Sequence, residues 1–311
     1  MNKTALLFAG QGAQEVGMGR ALAAQFPSGK AWFDRANAAL GYDLTRICFE
    51  GPETELTRTE NAQPAIFLVA WVAFELLHEK VPGLEFHATA GLSLGEFTAL
   101  AAADAMSFED GLRVVRERGR FMQEACEASQ GGMAAVIGLD EAATRKVCEE
   151  AGAYLANLNC PGQIVISAPT DRLQQACELA KARGAKRALP LTVAGAYHSP
   201  LMAPAQAKLD TVLKSVSVSG PKVPVISNVT AQPHGAPDDI RRRLVEQVTA
   251  SVRWEDSIRY LLGQGFTRFV ELGPGTALSG FMKRIDKNAQ VLNVADATSL
   301  EATVKALTTP A

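Results

Sequence analysis

Apolar positions along the chain follow two rhythms. Short apolar runs of strand length occur at 4–10, 133–139, 154–159, 163–168, 223–229 and 267–272. Between them lie longer stretches with helical spacing, at 19–40, 61–80, 107–129, 140–152, 169–184, 237–248, 251–265 and 276–285. A further short helix is expected from about 302, before a frayed end. The 61–80 stretch is apolar on more than one face, which predicts a helix buried against a sheet, with Pro64 in its first turn. The 107–129 stretch is amphipathic and stops before Gly131-Gly132, where the period changes to that of strands. From 131 to 195 the order is β-α-β-β-α-β, with Asp140 as a helix cap and Cys160-Pro161-Gly162 turning a hairpin-like pair. This predicts an α/β protein in two parts. Residues 1–130 and 196–311 form a large α/β-hydrolase-like domain on a parallel sheet, and 131–195 are an inserted, smaller ferredoxin-like α+β domain.

The chain pivots on 87–100, "HATAGLSLGEFTAL". Gly91-Leu92-Ser93-Leu94-Gly95 fits G-x-S-x-G, in which small residues permit a sharp strand-to-helix turn that lifts a serine hydroxyl above the sheet. The pentapeptide arises easily by chance in a chain rich in Gly and Ala, so its meaning depends on partners elsewhere.

Composition narrows the possibilities. With 311 residues, 47% of them apolar and 21% charged, the chain can bury a large core and is unlike a disordered one. Its 31 basic and 33 acidic side chains give no support to nucleic-acid binding. Five cysteines at scattered spacing fit neither a disulfide framework nor a zinc site, and no metal is expected. The first residues read as a strand running into a glycine-rich loop rather than as a signal peptide, and no apolar run is long enough for a membrane. A cytoplasmic monomer without membrane attachment is the expectation. The glycines at 10–19 miss the dinucleotide fingerprint, and no P-loop lysine follows.

A nucleophilic serine needs a base. Of the four histidines, His78 fits a surface or capping role, His87 supports the strand before the turn, and His234 lies in a loop with little around it. His198 occupies a loop of small residues and proline at the edge of the 131–195 unit, where both parts can meet over Ser93. From spacing alone, packing beside Tyr197 and catalysis weigh equally.

Eight motifs in order resolve this balance. They are "FAGQGAQ" (8–14), "GLSLGEFTAL" (91–100), "RERGRFMQ" (116–123), "NCPGQIVI" (159–166), "GAKRALPL" (184–191), "VAGAYHSPLM" (193–202), "PVISNV" (224–229) and "ELGPG" (271–275). Together they resemble the malonyl-CoA:acyl-carrier-protein transacylase family, in its free-standing bacterial form, over essentially the whole chain. The resemblance implies acyl transfer from malonyl-CoA to the phosphopantetheine thiol of acyl carrier protein, without a cofactor, for fatty acid synthesis. It makes Ser93 the acylated nucleophile and His198 the base. The backbone N–H groups of Gln11 and Leu94 become the oxyanion donors, although Gln11 also suits a loop-ordering role. Arg118 becomes the bidentate partner of the malonyl carboxylate, while Arg116 and Arg120, two residues to either side, point elsewhere. Backbone carbonyls, one of them at Arg253, are implied to orient His198. Asn159 and Gln163 are placed near the acyl or pantetheine arm, and Glu96 is expected to favour its helix start.

Two positions stand out. Leu92 departs from the histidine usual before the nucleophile. Tyr197 is bulky beside the base and narrows the room for an α-substituent on the acyl group. For the acidic carrier protein, Lys181, Arg183, Lys186 and Arg187, or else Arg241 to Arg243, offer a docking patch. The alternatives are a serine hydrolase with the same turn and a scaffold lacking activity, the latter requiring Ser93 or His198 to be displaced.

Overall fold

The structure, a computed structural model, describes residues 3–309. Among these, nine strands run in chain order as β1 (Lys3–Phe8), β2 (Ala88–Gly91), β3 (Gly131–Ile137), β4 (Tyr154–Cys160), β5 (Gln163–Pro169), β6 (Arg187–Pro190), β7 (Val225–Ile226), β8 (Phe266–Leu272) and β9 (Gln290–Val294). Two sheets result. Five strands in the order β7-β2-β1-β8-β9 pair in parallel. β1 lies at the centre, and Ala5 to Phe8 have no exposed surface, as expected of an apolar run covered on both faces. β1 and β2 end side by side, with Phe8 opposite Gly91, so the turns after both emerge at the same sheet edge. In α/β sheets that carboxyl edge is where ligand groups gather.

The second sheet is antiparallel, ordered β4-β5-β3-β6, and is covered by helices Glu141–Ala151 and Thr170–Ala182. Strand periodicity divides its faces. Ala134 and Val136 join a small core with Val147, Ile166 and Ala176. Met133, Ala156 and Val165 point the other way, into the main core. Asp140 caps the first helix as expected, accepting from the Ala143 N–H. β4 is also stitched to the rest of the chain at Val252, which donates to Ala156 O (2.8 Å) and accepts from Leu158 N (2.9 Å).

Four local expectations change. The 19–40 stretch divides into helices Arg20–Gln25 and Pro27–Leu40, because Phe26 precedes a proline and adopts an extended conformation. The helix expected from 61 begins at Thr59, which moves Pro64 out of the first turn and leaves the Glu60 carbonyl without its i+4 donor. The 223–229 run pairs only at Val225 and Ile226. At the C-terminal end, β9 was not foreseen, and the final helix starts at Ala297 rather than near 302. Residues 310 and 311 lie outside the described residues.

Helix Phe108–Ala128 packs closely on the start of helix Thr59–Lys80 at Gly119, where a Cβ would sit 2.4 Å from Thr59 O. This approach brings Arg118 beside Gln63. No helix among the described residues is long and apolar enough to cross a membrane.

Candidate active site

The turn after β2 depends on both glycines of its motif. A Cβ on Gly91 would lie 1.9 Å from the Gly95 carbonyl, and one on Gly95 would lie 2.2 Å from Phe8 O. The residue between them on the tight side, Ser93, has φ +54°, a left-handed conformation that costs a serine about 1 kcal/mol or more. Asn228, just beyond β7, braces the turn. Its Oδ1 accepts from Ser93 N (2.6 Å), and its Nδ2 donates to Gly91 O (2.7 Å). Leu92 is half-buried and packs over Gly10, where a Cβ would approach Leu92 Cδ2 to 2.7 Å.

His198, also at φ +54°, reaches Ser93 from the far side, with Nε2 2.8 Å from Ser93 Oγ. Its Nδ1 is 2.9 Å from the main-chain oxygen of Gln247. A carbonyl only accepts, so Nδ1 carries the proton of the neutral ring and Nε2 is left to accept from the serine. Burial and, after it, the Arg118 charge push the His198 pKa down to about 4, against the opposing pull of the Gln247 and Ala250 carbonyls.

The carbonyl expected at Arg253 is not the one that meets the imidazole. Arg253 O accepts from Ser257 N (3.0 Å) and Ser257 Oγ (2.8 Å) at the start of helix Trp254–Gly263. A residue capping a helix start spends its carbonyl on the first turn. Gln247 lies just past helix Pro237–Glu246, where the last carbonyls have no helical donor and are free for a side chain.

Arg118 is 1% exposed and approaches from the buried side. Its Nη1 donates to Gln63 Oε1 (2.7 Å), and its Nη2 donates to Gln247 Oε1 (2.9 Å) and to Ser93 Oγ (3.0 Å). Its Nε–H has no acceptor. Burial draws its pKa down to about 10, partly offset by Glu96, so the guanidinium remains charged at neutral pH. Arg116 and Arg120 pair instead with Glu117 and Glu124 at the surface.

Above Ser93 opens a cleft of about 770 Å³, lined from the parallel sheet by Gln11 and Leu92 and from β3 to β5 by Met133, Asn157, Asn159 and Gln163. Asn159 Oδ1 is buried and unpaired, whereas Gln163 Oε1 is taken by Arg284 Nη1 (2.9 Å). The main-chain N–H groups of Gln11 and Leu94 donate to no protein group among the described residues. Tyr197 is held in place, its hydroxyl bonded to Thr59 Oγ1 and within 3.4 Å of Gln11 Nε2. Burial raises its pKa to about 12, so it stays a neutral phenol.

Four polar residues at this site carry no individual mark of a role in the sequence: Gln63, Asn157, Asn228 and Gln247. Asn228 falls inside the 224–229 motif, which was a usable signal. His234, which the sequence places in a loop with little around it, is buried against Glu96 at 2.6 Å, and Glu96 itself has no exposed surface. The helix-start role foreseen for Glu96 therefore understates its contacts.

Residues 5–306 match the family model of the acyl transferase domain. The malonyl CoA-acyl carrier protein transacylase of Bacillus subtilis is 46% identical over 99% of this chain and 98% of its own length. The structure of the corresponding Coxiella burnetii transacylase superposes with a TM-score of 0.95 at 37% identity, covering 99% of this chain and 98% of that one. A malonyl-transacylase solved in complex with a type II polyketide acyl-carrier protein superposes at 0.94 with 37% identity, covering 98% of this chain and 99% of that one. With this extent of match, the chain belongs to the acyl transferase family, among the malonyl-CoA:acyl-carrier-protein transacylases.

Proposed function

We propose that this chain transfers the malonyl group of malonyl-CoA to the phosphopantetheine thiol of acyl carrier protein through a malonyl ester on Ser93, supplying fatty acid synthesis in the cytoplasm. The observation that carries the residue roles is the placement of Ser93 Oγ, 2.8 Å from an accepting imidazole nitrogen and 3.0 Å from a buried guanidinium. His198 removes the hydroxyl proton as Ser93 Oγ bonds to the thioester carbon. The C–S bond then breaks, and His198 returns the proton to the CoA sulfur. In the second half the carrier thiol gives its proton to His198 and attacks the ester, and Ser93 Oγ recovers a proton as it leaves. The unspent N–H groups of Gln11 and Leu94 suit the oxyanion of both tetrahedral intermediates. Arg118 is the partner of the malonyl carboxylate: its orphaned Nε–H and the N–H now resting on Ser93 are available to two carboxylate oxygens.

Intact mass of the protein after exposure to malonyl-CoA tests this reading. One malonyl adduct is expected, stable until holo carrier protein is added and then recovered on the carrier. Rapid loss to free malonate without carrier protein would indicate a hydrolase.

The depressed pKa of His198 sets a pH dependence. The base works only when neutral, and a lowered pKa keeps it neutral further into acid. The kcat/KM for malonyl-CoA should therefore stay level from about pH 8 down to about pH 5 and fall below that. An inflection near the ordinary histidine value of 6.5 would show that burial and Arg118 do not lower the His198 pKa.

Tyr197 walls the cleft beside the base and is tethered at its hydroxyl, so its ring cannot swing aside for an α-methyl group. Methylmalonyl-CoA should be a poor substrate, which competition between the two thioesters for Ser93 would measure.

The two basic patches differ in how far their charge is spent. Arg241, Arg242 and Arg243 pair with Asp238, Asp239 and Glu246, and Arg183 pairs with Glu150. Lys181, Lys186 and Arg187 are exposed, and the last two lead into Leu191 and Val193 at the cleft mouth. We place the carrier protein there. Lys186→Glu with Arg187→Glu should raise the KM for carrier protein and leave that for malonyl-CoA in place.

A further inference from the structure

Glu96 is a carboxylate without exposed surface, placed directly behind the nucleophile. Its Oε1 accepts from His234 Nε2 (2.6 Å), and its Oε2 accepts from Gln247 Nε2 (2.5 Å) and Asn228 N (3.2 Å). Burying a carboxylate is costly unless its oxygens are satisfied, and here three donors converge on it. A carboxylate oxygen that already accepts from the Asn228 N–H meets the donor end of a neighbouring amide, not its oxygen. It therefore dictates which way the Gln247 amide faces: nitrogen toward Glu96, oxygen toward Arg118 Nη2 at 2.9 Å. Turned over, the amide would present N–H to the guanidinium and oxygen to the carboxylate, a mismatch at both ends. The same amide nitrogen also donates to Ser93 O (2.9 Å), and the same residue's main-chain oxygen holds His198. Gln247 thus touches all three reacting or binding groups, and Glu96 sets its orientation. The carboxylate charge also favours the charged guanidinium at full burial.

We propose that Glu96 is a positioning residue for the choice of acyl group: acting through the Gln247 side chain, it holds the Arg118 guanidinium aimed at the acyl position on Ser93. The inference rests on the reading of Arg118 as partner of the malonyl carboxylate. It assigns a role to the Glu96–His234 pair that helix capping does not supply. Glu96 has no exposed surface and does not line the cleft. Its effect reaches the reaction through the orientation of one amide.

The readout is the ratio of second-order rates for Ser93 acylation by malonyl-CoA and acetyl-CoA, followed by intact mass. A loss confined to packing lowers the folded fraction but leaves this ratio alone. E96Q keeps the shape and replaces the acceptor-only group with an amide that can donate, which allows Gln247 to turn. The ratio should fall roughly tenfold or more, the scale of one hydrogen bond to a charged group. E96D keeps the acceptor-only chemistry and should retain more of the ratio than E96Q. In an R118A background, E96Q should change the ratio no further. If E96Q does not fold, Q247M supplies the measurement, since it removes the amide but leaves the main-chain carbonyl, and the same fall in ratio is expected. An unchanged ratio in E96Q, or in Q247M where E96Q is unfolded, overturns the proposal. So does a ratio kept in E96Q and lost in E96D. If R118A itself leaves the ratio intact, the Arg118 reading fails and this inference falls with it. If R118A collapses the ratio and E96Q does not, only this inference fails.

Discussion

Ser93→Ala should take up no malonyl adduct and should lose transfer by roughly a millionfold, the scale seen when a serine nucleophile is removed from a unit of this kind. The substitution is a clean one. Alanine keeps the Cβ that Ser93 already carries at φ +54°, so the turn gains no strain. The bonds that brace the turn come from main-chain groups, Ser93 N to Asn228 and Ser93 O to Gln247, and both survive. Only Oγ is lost, and with it the bonds to His198 and Arg118. On the proposed roles, nucleophile and base act as one unit, so adding His198→Ala to Ser93→Ala should cost little more than either alone. An adduct of unchanged mass on Ser93→Ala would place the acyl group elsewhere and remove the turn at 91–95 from the chemistry.

Arg118→Ala should separate binding from chemistry. The guanidinium is buried with an Nε–H that no oxygen accepts, and on the proposed reading the malonyl carboxylate supplies the missing acceptor. Losing that pair should cost about 3–5 kcal/mol, or roughly a hundredfold to a few thousandfold in kcat/KM for malonyl-CoA. Acetyl-CoA offers no carboxylate and leaves the arginine unpaired in the unaltered protein. Its transfer should survive in Arg118→Ala, or rise, because no buried cation remains to be left without a partner. Lysine is a poor replacement, since an ammonium cannot give two parallel bonds in a plane. Equal loss of malonyl and acetyl transfer would show that Arg118 serves the site generally and does not read the acyl acid.

How much of this was legible in the sequence follows from the range of each interaction. The turn at Ser93 is local. Gly91 and Gly95 are needed because a Cβ at either would strike backbone within a few residues or on the adjoining strand, and that leaves a readable spacing. The β-α-β-β-α-β order of the second sheet is local as well, and its strand order follows from it. Helical geometry shows only that Arg116, Arg118 and Arg120 cannot all share a face; it is the resemblance that singles out Arg118. His198 was ambiguous from spacing and was separated from a packing role only by resemblance. Glu96 and His234 lie 138 residues apart and look unremarkable singly; only the fold makes them a pair. The Gln247 carbonyl was beyond reach for a different reason. A main-chain acceptor imposes no side chain on its position, so the sequence carries no mark of it, and Arg253 was taken in its place. β9 escaped because it is a short edge strand whose first four residues are half-buried or exposed, without strict alternation.

The cleft above Ser93 carries a thermodynamic consequence. On the proposed reading, one cleft, one imidazole and one pair of unspent N–H groups serve both half-reactions, each with a thiol at the end of a pantetheine arm. The same imidazole lies within reach of either sulfur at Ser93. The bond broken and the bond formed are both thioesters, so the overall equilibrium constant lies near unity and the site catalyses either direction. Flow toward loaded carrier is then set by the relative concentrations of malonyl-CoA, free CoA and unloaded carrier, and by whatever consumes the product downstream. A protein built this way equilibrates two pools and commits neither.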